Sequence, residues 1–101
     1  MKKVFVCHSL KNKSYIEILK EKSDYVSIIR KLYDDNIDVH FPDFAFDNSL
    51  HGLSKVINNI LDMDVIVFPK KSLCTNFWQA LYYIIELCSD KEIKVIDGLG
   101  D

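Results

Sequence analysis

The sequence predicts a small α/β domain: an open parallel sheet in three layers, with element order β-α-β-α-β-α-β. Three observations carry that prediction. Four short apolar runs alternate with three longer segments of helical periodicity. Such alternation implies βαβ units, right-handed crossovers and a parallel sheet. The length, 101 residues with 49% hydrophobic side chains, fits one domain over residues 1–101. A domain of that size buries a core without metals or disulfides.

The first run, KVFVC at residues 3–7, is β-branched and apolar, so it reads as a central strand buried on both faces. Residues 14–35 follow. Tyr15, Ile18, Leu19, Tyr25, Ile28, Ile29, Leu32 and Tyr33 recur every three or four residues, as on an amphipathic helix. A break with a second N-cap is expected near Ser23 and Asp24. IDVHFP, residues 37–42, is the second strand, ended by Pro42. After the aromatic loop DFAFDNSLHG, Asn48 or Ser49 caps a helix carrying Leu53, Val56, Ile57, Ile60 and Leu61. Asp62 and Asp64 then flank Met63 at the amino end of the third strand, DVIVFP at 64–69, where they read as capping or turn residues. The third helix covers Asn76 to Ser89. The fourth strand is EIKVID, residues 92–97, and GLGD forms a tail.

The resulting fold class is a three-layer sheet of flavodoxin or Rossmann type. Ligands of such sheets sit beyond the carboxyl ends of the strands, near the reversal of strand order. Four stretches converge there: Cys7 to Lys13, Phe41 to Phe46, Pro69 to Asn76, and the tail after Ile96.

Composition narrows the function classes. The net charge is −2, from 13 basic and 15 acidic residues, which argues against a nucleic-acid surface. No apolar run reaches the roughly 18 residues that span a bilayer, and the opening MKKVFVCHS is too short for a signal peptide. Cys7, Cys74 and Cys88, an odd count, are expected to be free thiols in a reducing cytosol, so the expected location is cytoplasmic. Neither CxxC nor HxxxH spacing occurs, so no metal site is expected, and no cofactor is implied.

Within the first loop, Ser9, Asn12 and Ser14 offer an anion site at a helix start, or Ser14 simply caps that helix. No glycine precedes Gly52, which excludes both GxGxxG and a P-loop there. His8 is either a ligand contact or acid, or a loop histidine bonded to backbone. His40, within a strand, reads as a structural histidine, and His51 as exposed. Phe41, Asp43, Phe44 and Phe46 suit a stacked base and a sugar hydroxyl, or else plug the sheet edge.

The third helix is apolar nearly all round. Phe77, Trp78 and Tyr82 therefore read as a surface for a second subunit, making a homo-oligomer. Its polar exceptions, Gln79 and Glu86, lie seven residues apart on one face, roughly 10 Å along the axis.

KVFVCHSL, DVHFPD and ILDMDVIVFPKKSLCTNFWQALYYIIELCSDKEIKVI together resemble the nucleoside 2-deoxyribosyltransferase-like superfamily. In that family an Asp-led strand precedes a helix opening Glu-apolar-Gly-Tyr-Ala, and the glutamate attacks the nucleoside sugar. On QALYY the resemblance puts Gln79 in the glutamate's place and Leu81 in the glycine's. A neutral amide forms no glycosyl ester, so the resemblance implies binding of a nucleoside or nucleotide without turnover. Ligand contacts implied or read at the strand ends are His8, Ser9, Phe41, Asp43, Ser72, Asn76 and Gln79.

The chain also resembles the related TIR domains. SLCTNFWQALYY is similar to their Ser-x-Trp-Cys-x-x-Glu stretch, with Trp78 on the tryptophan and Tyr82 replacing the catalytic glutamate. Either resemblance loses the carboxylate. The expectation is thus a non-catalytic binding protein. The alternatives are an N-glycosidase with Glu86 as displaced nucleophile, or a TIR-like interaction domain.

Overall fold

The computed structural model describes residues 1–8, 10, 12–41, 54, 57–69 and 92–99. Four strands, β1 (Lys2–Val6), β2 (Ile37–His40), β3 (Val65–Phe68) and β4 (Lys94–Asp97), form one sheet in the order β2-β1-β3-β4. Every neighbouring pair is parallel. Val4 stands at the centre of the register, beside Val39 on one side and Val65 on the other. Strand composition matches strand position. Val4 to Val6 of β1 and all of β3 are buried, and both runs are uninterrupted apolar sequence. Of the edges, IDVH alternates apolar with polar residues and KVID has a polar residue at each end, and both are half-covered.

The sheet is packed on both faces. Val4, Val6, Val65 and Val67 face the helix α1 (Tyr15–Tyr33), meeting Tyr25 and Ile29. Phe5, Cys7, Ile66 and Phe68 face the other way, onto Ile60 and Ile57 of the helical residues 57–60. The period-two alternation of β1 and β3 thus builds two cores from one sheet. This is the three-layer, doubly wound arrangement expected. The strand order, which element order leaves open, reverses between β1 and β3.

Several boundaries differ from expectation. α1 is one unbroken helix, with no second N-cap at Ser23. Its 19 residues span about 28 Å, whereas strands of four or five residues rise about 13–17 Å. The helix therefore overhangs the sheet. Its first turns leave Tyr15, Ile16 and Leu19 exposed, although Tyr15 and Leu19 belong to the expected apolar stripe. The tail is also not free. Gly98 takes φ 88°, which its missing Cβ permits, and donates to Phe68 O, while Leu99 donates to Pro69 O and packs against the α1-side core. Among the described residues no helix is long and apolar enough to cross a membrane.

Candidate functional site

The site forms where the carboxyl end of β1 meets the overhang of α1. β1 continues past its last strand residue. Cys7 N donates to Val67 O, and His8 N closes a three-residue turn on Val6 O. Alternation carries His8 onto the same face as Val4 and Val6, under α1. Its side chain is fully buried. The loop then turns at Asn12, whose φ of 60° is left-handed, a conformation that asparagine tolerates. Ser14 starts α1 by accepting a hydrogen bond from Glu17 N at 3.2 Å. Its oxygen thus works as a cap, the second of the two roles open to it.

Three donors converge on one oxygen, Oε2 of Glu21. Lys13 Nζ lies 2.7 Å away, His8 Nε2 2.9 Å and the Tyr25 hydroxyl 3.3 Å. The edges of Tyr25 and Phe41 approach the His8 ring, with centroids 5.4 and 6.1 Å away. Lys22 Nζ stands 5.4 Å over the Phe41 ring.

Electrostatics follow from this packing. Burial alone would raise the Glu21 carboxyl, but the hydrogen bonds from Lys13 and His8 outweigh it and hold the group below its ordinary value. Burial lowers His8, only partly opposed by its bond to Glu21, and Lys13 pushes it the same way as burial. Burial, with the nearby Glu21 charge, raises the Tyr25 phenol to about 12. At neutral pH the cluster therefore holds ionised Glu21, neutral His8 and neutral Tyr25.

An ionised carboxylate accepts and cannot donate, so His8 Nε2 carries the ring proton and Nδ1 is left with its lone pair. Nδ1 is shut off from water and has no hydrogen-bond partner among the described residues. An acceptor buried in that state costs about 1–3 kcal/mol.

Two grooves run along α1. One, of about 450 Å³, is lined by Glu17, Lys20, Glu21, Asp24, Tyr25 and Ile28, so it shares Glu21 and Tyr25 with the cluster. The other, of about 670 Å³, carries Lys22, Arg30 and Lys31 with Ser23, Val26 and Ser27. The larger groove touches none of the cluster residues, whereas the smaller one borders the cluster through Glu21 and Tyr25.

Of the expected ligand residues, the structure brings His8 and Phe41 together. His8 bonds to a carboxylate rather than to backbone. Phe41 joins the α1-side core as a partly buried residue. Ser9, Asp43, Ser72, Asn76, Gln79, Phe77, Trp78, Tyr82 and Glu86 lie outside the described residues. His40 pairs with Asp38 at 2.9 Å on the partly exposed edge, a structural role as expected. Asp64 accepts from Lys3 N at 2.8 Å, which makes it a cap at the amino end. Cys7 is a free buried thiol, raised well above its ordinary value by burial, and so inert. The described residues contain no group of three metal-ligating side chains.

Sequence reasoning missed Glu21 and Tyr25 as site residues and placed Lys13 there only as the end of the stretch Cys7 to Lys13. A signal was present. Glu21 falls three residues after Ile18 and four before Tyr25, so a carboxylate interrupts the apolar stripe of α1. No family model matches the chain, and neither does any curated protein or solved structure.

Proposed function

We propose that this domain binds a nucleoside or nucleotide at the carboxyl edge of its sheet, without turning it over. The observation that carries the reading is the reversal of strand order between β1 and β3, with the part-buried His8–Glu21–Lys13 cluster, from the loop and α1, beside it. Open parallel sheets take ligands at that place. The juxtaposition of His8 with Phe41, two residues expected to touch ligand, supports the same reading. The resemblance to the nucleoside 2-deoxyribosyltransferase-like superfamily supplies the ligand class, and Gln79 in place of the nucleophile supplies the lack of turnover. Assembly into a homo-oligomer through Phe77, Trp78 and Tyr82 belongs to the same proposal.

Calorimetry against nucleosides, nucleoside monophosphates and NAD tests it. Binding should come with thermal stabilisation, about 2.7 kcal/mol at a ligand concentration of 100 times the dissociation constant. Silence across the panel at millimolar ligand contradicts the proposal.

One observation favours turnover as a second reading: Glu21 supplies an anionic oxygen at the expected edge. Three donors on Oε2 draw its charge away, which makes it a weak nucleophile. Release of free base that disappears on Glu21→Gln, or on Glu86→Gln, would establish this reading instead. No base release from any substrate removes it.

A further inference from the structure

We propose that His8 Nδ1 is the recognition atom of this site, an acceptor that takes a hydroxyl or N–H donor from an uncharged ligand in preference to an anion. The inference deepens the nucleoside or nucleotide reading and rests on it. Its first support is the tautomer. Lys13 at 2.7 Å keeps Glu21 Oε2 ionised, so Nε2 at 2.9 Å must donate to it. That fixes the lone pair on Nδ1, in a side chain with no exposure and no partner for that atom among the described residues. The arrangement matches the carboxylate–imidazole pairs in which the acid sets the tautomer and the opposite nitrogen does the work.

The second support is the charge around the ring. From the loop, Lys13 faces His8, but Glu21 neutralises it. From α1 come Glu21, Lys22 and the neutral Tyr25, with Asp24 beyond it. From the end of β2 comes uncharged Phe41; Asp38 and His40 pair with each other, at alternate positions to Val39 of the α1-side core. The groove that shares Glu21 and Tyr25 sets Glu17, Glu21 and Asp24 against the single cation Lys20. An incoming phosphate would meet Glu17 and Asp24 against Lys20, the ion-paired Glu21 and, at the ring, a lone pair. A hydroxyl or an N–H meets acceptors. Phe41 is half-buried, and its ring stands against His8 at 6.1 Å.

The test uses the full chain with ¹⁵N-labelled histidine, adenosine and thymidine as uncharged probes, and their 5′-monophosphates as anionic ones. At neutral pH the nucleosides should shift the Nδ1 resonance of His8. The monophosphates should bind about tenfold more weakly. His8→Gln, whose amide still reaches Glu21 but offers no acceptor at the Nδ1 position, should weaken nucleoside binding about tenfold. His8→Asn, which keeps a polar atom near that position, should weaken it less. Should both variants fail to fold, the Nδ1 shift in the native chain still decides. Binding with an unmoved Nδ1 resonance, or monophosphates bound as tightly as nucleosides, overturns this inference and leaves a nucleoside- or nucleotide-binding domain. Absence of any binding overturns both.

Discussion

The two ends of the sheet each hold a carboxylate, and they use it differently. At the amino end, Asp64 Oδ2 accepts from Lys3 N, its own N donates to Lys3 O, and its carbonyl takes Lys94 N. Every polar group in that exchange is paired, the partners are backbone, and the residue is exposed. Lys2 and Lys94 lie over the Tyr33 ring at 4.8 and 5.8 Å and finish the edge. At the carboxyl end, Glu21 gathers three side-chain donors, one of them a buried histidine whose other nitrogen is unpaired among the described residues. The amino end is closed by backbone and locks the register. The carboxyl end carries a part-buried polar network that is incomplete among the described residues, a costly arrangement that a purely structural role does not require.

Substitutions should separate the two ends by size of effect. Glu21→Ala removes the acceptor shared by His8, Lys13 and Tyr25 and leaves His8 Nε2–H buried and unpaired. Urea denaturation should show a loss of about 2–3 kcal/mol. Asp64→Ala removes one exposed cap and should cost about 1 kcal/mol or less in the same measurement. Equal losses at both sites would erase the distinction.

Acid and alkali sharpen it further. His8 and Glu21 both have folded values below their ordinary 6.5 and 4.5, so the unfolded chain takes protons first as pH falls. Their contribution is full above pH 6.5 and is lost on acidification, first through His8 and below 4.5 through Glu21. Tyr25 has the opposite sign. Its contribution is present below pH 10 and is lost as pH rises toward about 12. Denaturation midpoints across pH should fall at both extremes, and Glu21→Ala should flatten the acid limb.

The smallest effect belongs to the edge pair. His40→Ala breaks a bond to Asp38 in which both side chains are about half exposed, so stability should move by less than about 0.5 kcal/mol. Separately, Trp78→Lys tests the proposed assembly. An oligomer by light scattering that becomes monomeric supports it, and unchanged mass does not.

Much of the fold was legible in the sequence because burial on both faces leaves unbroken apolar runs. KVFV reads as a central strand and VIVF as a buried one for that reason; the structure adds that VIVF is central and that the alternating IDVH is an edge. Strand order was not legible, since adjacency of β1 and β3 rests on long-range pairing that no local pattern encodes. The overhang of α1 was hidden as well. Periodicity marks an apolar stripe but not how much of it the shorter sheet can cover. At the site, His8 and Phe41 were found by their place after strands. Glu21 was not legible as a site residue because a single carboxylate on an amphipathic helix has the pattern of an ordinary solvated position. Its clue was a charge inside an apolar stripe, visible only when α1 is read for exceptions.

The central claim is that the carboxyl end holds a neutral histidine whose Nδ1 is an acceptor without a partner among the described residues. The ¹⁵N spectrum of His8 in the free protein, followed with pH, tests it most directly. One protonated ring nitrogen at neutral pH, assigned to Nε2, with titration below 6.5, is the expected result. An imidazolium at neutral pH, or a proton on Nδ1, would contradict the account.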